Sequence, residues 1–149
     1  MNKIEHLVIA VKDLESAEKM YEALLGVSSY KREEVPTEGV PTSFFKCGES
    51  KIELLAGTND DSPISKFVEK RGAGIHHIAY AVDDIRQEID RLKNEGFVPL
   101  NEEPRKGADN KWVAFLHPKS AGGVLVELCQ SIGTADGRRR TGDGRLDDR

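Results

Sequence analysis

The sequence predicts an α+β fold made of a duplicated strand, helix and strands unit, and three features of the chain predict it. The stretch "IEHLVIAVKDL" from Ile4 and the stretch "IHHIAYAVDDI" from Ile75 share one pattern: I-x-H, a hydrophobic tetrad ending in Ala-Val, then x-D-L/I. Each is followed by a helical stripe and then by β-type material. Each half also closes on a strand with a glutamate in its middle, Glu53 in "KIELL" and Glu127 in "LVELC". An internal repeat of this kind has to be settled first, because it decides the architecture.

In chain order, residues 4 to 11 alternate as a strand, and Asp13 stands where an N-cap belongs. Leu14, Ala17, Tyr21 and Leu24 then fall on one helical face, with Gly26 as the C-cap candidate. "TSFFKCGESKIELLAG" reads as two strands joined at Gly48-Glu49. Ser62-Pro63 opens a short linking helix over about 62–72 that carries Ile64, Phe67 and Val68. Proline suits its first turn, where a missing N–H costs nothing, and Gly72 ends it. In the second copy Asp83 or Asp84 caps, Ile85, Ile89 and Leu92 form the stripe, and Gly96 stops the helix. "KWVAFLHPKSAGGVLVELCQ" closes it as two strands around a Pro118 to Gly123 turn.

The modules are therefore about 3–57 and 74–131, within one domain over 1–131. The segment 132–149, "IGTADGRRRTGDGRLDDR", is rich in Gly, Arg and Asp and lacks any period, so a disordered tail is expected. A chain of 149 residues can bury a sizeable core. Its 38% hydrophobic and 32% charged residues and formal net charge of -4 argue against nucleic acid or an anionic membrane as partner. No apolar run is long enough to span a bilayer, and no signal peptide is evident. Cys47 and Cys129 are too few for a disulfide framework and read as reduced residues of a cytoplasmic protein.

Strand alternation places His6 on one face with Ile4, Val8 and Ala10, and His77 on one face with Ile75, Ala79 and Ala81. His76 is expected on the other side, beside Ile78 and Tyr80. The repeat thus pairs His6 with His77, and Glu53 with Glu127. A carboxylate inside an apolar strand is costly unless it is paired or bound to a cation. Two imidazoles and two carboxylates suit a divalent transition metal with positions left for water or substrate. Taken singly, each residue also suits a satisfied core histidine or a solvent-facing glutamate. Recurrence as two pairs is what favours a site. His76 and His117 have no repeat partner and read as structural or substrate-adjacent.

With these residues in place, "EHLVIAV", "KIELL", "HHIAYAVDDI" and "FLHPKSAGGVLVELCQ" make the chain resemble the vicinal oxygen chelate superfamily over roughly residues 3 to 130. The runs "DSPISKFVEKRGAGIHHIA" and "EEPRKGA" are more particular and resemble the methylmalonyl-CoA epimerase family. The resemblance implies two βαβββ modules in a pseudo-twofold repeat, forming a glyoxalase-like curled-sheet cup around one metal. It implies His6, Glu53, His77 and Glu127 as ligands, with Glu53 where some members carry Gln. The metal implied is cobalt or another divalent ion (Mn2+, Ni2+, Zn2+ or Fe2+).

The reaction implied is interconversion of (2R)- and (2S)-methylmalonyl-CoA by α-proton abstraction and return through a metal-stabilised enolate. Glu127 is the candidate base. Inversion ordinarily needs a second acid–base group. The family position proposed for it falls near Thr42, which cannot serve, and Glu38 is a weak substitute. Lys119 and Ser120 in the "HPKS" turn are candidate contacts to an anionic part of the acyl-CoA. A homodimer is also implied. The rivals are a glyoxalase I-type lyase acting on a glutathione hemithioacetal, an extradiol dioxygenase, and a metal-free binding or resistance module. A fourth ligand counts against the dioxygenase, and retention of all four ligand types disfavours the metal-free module. The absence of a GxGxxG or P-loop agrees with a reaction that needs no redox cofactor.

Overall fold

The computed structural model describes residues 1–35 and 40–133. Glu38 and all but the first two residues of the expected tail lie outside the described residues. The order of elements is β1 (Lys3–Val11), α1 (Leu14–Leu25), β2 (Lys31–Val35), β3 (Val40–Cys47) and β4 (Ser50–Ala56). After α2 (Pro63–Arg71) come β5 (Gly74–Ala81), α3 (Ile85–Asn94), β6 (Arg105–Gly107), β7 (Lys111–Leu116) and β8 (Val126–Ser131). This is βαβββ written twice, with α2 between the copies. The eight strands form one curled sheet in the order β2-β3-β4-β1-β5-β8-β7-β6. Each module contributes half of it, and the halves meet where β1 pairs antiparallel with β5. Within each half the first strand lies parallel to the last, β1 with β4 and β5 with β8.

Local chemistry explains the helix limits. The Asp13 carboxylate accepts from the Ser16 N–H, and the Asp84 carboxylate accepts from the Gln87 N–H, so each repeat caps its helix with the same residue type. Asp83 instead accepts from the Asn2 side chain. Gly26 ends α1 in the left-handed region with φ 74, where a side chain would be strained. Ser62 caps α2, and Pro63 occupies its first turn. One expectation changes. Leu24 is exposed, and Leu25 packs with Ala17 and Tyr21 against Val11, Phe45 and Leu54. The helical stripe therefore turns by one residue at its end.

Alternation along the strands makes two faces. Phe45 and Leu54 meet α1 on the outside, while Ala114, Leu116 and Leu128 meet Ile85, Ile89 and Leu92 of α3. The opposite, inner face carries Val8, Ala10 and Leu55, which pack on Ile64, Phe67 and Val68 of α2. Since Val8 and Ala10 alternate with His6, α2 covers part of the same face as that histidine. No helix among the described residues is long and apolar enough to cross a membrane.

The two ends of the sheet are tied together. Asp109, in the turn between β6 and β7, accepts from Lys31 of β2 at 2.7 Å and from Lys51 of β4 at 2.6 Å. Its own N–H donates to Glu33 at 3.0 Å. Asp109 and Asn110 both hold positive φ, 61 and 55, a conformation that short Asx side chains tolerate. Asp109→Ala should lower stability by about 2 kcal/mol, because it removes charge-assisted bonds to two lysines. Leu128→Ala should cost about 3 kcal/mol through the cavity it leaves in a fully packed cluster. Urea denaturation of the purified chain measures both.

Candidate metal centre

The four paired residues stand on the four central strands of the sheet: Glu53 on β4, His6 on β1, His77 on β5 and Glu127 on β8. Register places them together. Val8 of β1 lies beside Glu53 on one side and His77 on the other, while Ala79 of β5 lies between His6 and Glu127. Small Ala79, fully buried, leaves the space over the sheet to the longer side chains around it. All four are buried, between 4% and 6% exposed. Burial that deep beside Val8, Ala10, Leu55 and Ala79 requires that the charges answer one another.

They do so around Glu127. Its Oε1 lies 2.7 Å from Nε2 of His77 and 3.4 Å from Nε2 of His6. These three residues offer ligand atoms that lie within 4.8 Å of one another. Glu53 joins from the other side of the His6 ring, with Oε2 3.2 Å from Nδ1. The two imidazole rings stand edge to face, 6.1 Å apart, and Phe115 stacks edge-on against His77 at 5.1 Å. Phe115 sits beside Glu127 across β7 and β8 as Phe44 sits beside Glu53 across β3 and β4. The aromatic flank is thus part of the repeat as well.

The electrostatics follow from this crowding. Burial opposes charge on His6, but hydrogen bonds to Glu127 and Glu5 and the nearby Glu53 charge overcome it and lift its pKa to about 10. Burial raises the carboxyl of Glu53 to about 7, with His6 pulling down and Glu127 and Glu5 pushing up. Burial would also raise Glu127, yet bonds from His6 and His77 hold it well below the usual carboxylate range. Two imidazoles and a carboxylate with donor atoms within 4.8 Å of one another, and a second carboxylate on the far side of His6, fit a divalent first-row ion, whose charge would replace the shared protons. Among the described residues Thr42 Oγ1 is buried without a hydrogen-bond partner, and its pairing opposite Leu55 puts it on the same inner face.

His76, expected on the other side, does not point away from the site, and neither does its repeat counterpart Glu5. Glu5 is 5% exposed, and its Oε1 accepts from His6 Nδ1 at 2.6 Å. His76 is half-buried, with its Nδ1 2.8 Å from Nδ1 of His77 and its ring 4.8 Å from Phe67. Burial and the charges of His77 and Arg71 lower its pKa to about 4, which keeps the ring neutral. Conversely Ile4 and Ile75, expected on the site face, are 43% and 59% exposed. The reason is a register shift on either side of the β1–β5 pairing, at Glu5 and at His76. Plain alternation does not foresee a bulge. The available signal was that both repeats set a polar residue just before the histidine.

Of the remaining candidates, Lys119 is exposed, and Ser120 serves its own turn. The Ser120 hydroxyl donates to the His117 carbonyl at 2.8 Å and accepts from the Val98 N–H at 3.1 Å. His117 is structural in the same turn, where its Nδ1 accepts from the Lys119 N–H at 3.1 Å. Thr42 carries a hydroxyl that cannot act as a base at neutral pH.

Comparison with known proteins agrees with the geometry. The model of the Glyoxalase/Bleomycin resistance protein/Dioxygenase superfamily matches residues 5–115. The chain is 45% identical to the ethylmalonyl-CoA/methylmalonyl-CoA epimerase of Cereibacter sphaeroides, over 87% of this chain and 98% of that protein. It is 42% identical to the mitochondrial methylmalonyl-CoA epimerase of Homo sapiens, over 88% of this chain and 75% of that protein. A solved variant of the Streptomyces coelicolor methylmalonyl-CoA epimerase, in complex with 2-nitronate-propionyl-CoA, superposes with a TM-score of 0.83. That pair shares 34% identity over 88% of this chain and 95% of the other. The protein belongs to the Glyoxalase/Bleomycin resistance protein/Dioxygenase superfamily, and within it to the family of the methylmalonyl-CoA epimerases.

Cys129 lies on the same side of β8 as Glu127, and burial raises its thiol pKa far above the ordinary range. Cys47 is exposed. With Ellman's reagent at pH 8, one thiol per chain should react in the folded protein and two in denaturant.

Proposed function

We propose that the protein is a metal-dependent epimerase interconverting (2R)- and (2S)-methylmalonyl-CoA. One observation carries the reading: His6, His77 and Glu127, drawn from both repeats, converge in a buried cup with Glu127 Oε1 between the Nε2 atoms of the two histidines, and Glu53 reaches the Nδ1 side of His6. His6, His77 and Glu127 would hold the ion, with Glu53 as the fourth ligand. A divalent cation, cobalt being the one favoured, supplies Lewis-acid polarisation of the thioester carbonyl when bound, which makes the neighbouring α-proton more acidic.

The chain itself does the rest. The inner face, walled by Phe44 and Phe115 and covered in part by α2, gives the malonyl group a dry setting in which electrostatic contacts are strong. We assign Glu127, whose carboxylate lies beside both imidazoles, as the base for the α-proton. Returning the proton to the opposite face needs a second group. Thr42 is excluded from that role by its chemistry, and its unpartnered hydroxyl is suited to donating a hydrogen bond to a bound carboxylate. Lys119 stands exposed in the turn between β7 and β8, available to an anionic part of the acyl-CoA.

In D2O with added Co2+, the protein should exchange the α-proton of methylmalonyl-CoA for deuterium and equilibrate the two epimers. Absence of exchange, together with turnover of a glutathione hemithioacetal, would sink the assignment. Chelation should abolish the exchange and Co2+ restore it. His77→Ala should reduce both metal retention and turnover by at least about 100-fold, a loss larger than outer contacts usually cause. Metal analysis and proton NMR of the substrate read the two effects.

A further inference from the structure

We infer that Glu5 and His76, the two residues bulged out of the β1–β5 ladder, are positioning residues that aim Nε2 of His6 and of His77 into the cup. The inference rests on the metal-site reading above and extends it to side chains outside the ligand set. In the β1–β5 pairing, Ile4 faces Tyr80 and His6 faces Ala79, so Glu5 is skipped. Val8 faces His77 and Ile9 faces Ile75, so His76 is skipped. The two shifts occupy equivalent places in the two repeats. Each turns a side chain that alternation would send outward back toward the histidine that follows it.

What each does there is geometric. An imidazole that gives Nε2 to a cation must carry its proton on Nδ1, and the acceptor on Nδ1 fixes both tautomer and ring direction. Glu5 Oε1 meets Nδ1 of His6 at 2.6 Å, closer than Glu53 Oε2 at 3.2 Å on the same nitrogen. His76 Nδ1 meets Nδ1 of His77 at 2.8 Å, and Phe67 backs the His76 ring at 4.8 Å. Glu5 is itself anchored. Its Oε2 lies 2.9 Å from Lys51 of β4 and 3.7 Å from Lys111 of β7, one lysine from each module. The same lysines argue against Glu5 as a ligand of a second ion, although Glu5, His6 and Cys129 also lie within 4.8 Å of one another. Two ammonium groups on one carboxylate repel a further cation.

The test uses metal-free wild type, Glu5→Ala, Glu5→Gln, Glu5→Asn and His76→Phe, each checked by circular dichroism. Co2+ affinity and the visible absorption band of bound Co2+ are followed by titration, and ring N–H protons by NMR before metal is added. We expect Glu5→Ala and His76→Phe to bind Co2+ about 10- to 100-fold more weakly, with an altered band. Glu5→Gln, which keeps an acceptor oxygen at the same reach, should recover most of the affinity. The wild type should show a downfield, slowly exchanging Nδ1–H proton from His6 that survives in Glu5→Gln and disappears in Glu5→Ala. If Glu5→Ala does not fold, Glu5→Asn, too short to span the contact, takes its place with the same expectations. Wild-type affinity, band and ring proton in Glu5→Ala or Glu5→Asn would overturn the inference. A wild type that takes up no Co2+ would remove the metal-site reading instead. The ring proton then decides on Glu5 alone, its persistence without the carboxylate counting against us.

Discussion

The antiparallel pairing of β1 with β5 is the interaction on which the rest of the structure depends. It is the seam between the modules, and its register sets His6 opposite Ala79 and Val8 opposite His77, a relation unchanged when the two repeats are exchanged. A slip of one residue would turn one histidine away from the other, because strand side chains alternate with period two. The parallel partners of these strands, β4 and β8, bring the glutamates to the same height. Helices α1 and α3 back the sheet from outside, and α2 closes part of its inner face. Helices α1 and α3 thus hold the flanking strands of each half, and α2 covers the inner face beside the site.

Around that seam the protein concentrates charge that its neighbours would not tolerate singly. Glu5, His6, Glu53, His77 and Glu127 are all buried and linked through contacts of His6 and Glu127, and Lys51 and Lys111 border Glu5. Buried ion pairs give little net stability, since desolvation offsets their attraction. Stability alone therefore does not explain such a cluster. The apolar clusters under the three helices supply the fold's stability, so the cup can be given over to polar groups.

Much of this was legible in the sequence because the repeat makes two independent statements of each feature. Asp13 and Asp84, Glu53 and Glu127, and His6 and His77 each confirm one another, and a cap or stripe seen twice outweighs a local accident. The short edge strands β2 and β6 were not singled out; with charges such as Lys31, Arg32, Glu33, Arg105 and Lys106, they lack an apolar pattern. Leu24 and Leu25 were confused because both fit a helical stripe until the packing partner is known. The inward turn of Glu5 and His76 escapes strand alternation for a deeper reason. A bulge is a property of two strands together, and neither strand alone records which residue its partner will skip. Glu38, weighed as a second acid–base group, lies outside the described residues.

Each βαβββ half carries one histidine and one glutamate, and neither half has a complete set of donors. The first half alone holds His6 on β1 and Glu53 on β4 with nothing across from them. An ion meeting that half finds two donors and a strand edge, too little for tight capture. Only when β5 docks on β1 and β8 follows does the full set exist. On the proposed ligand set, loading of an ion would be coupled to the docking of β5 on β1, and a chain truncated or misregistered at the seam would be left unloaded.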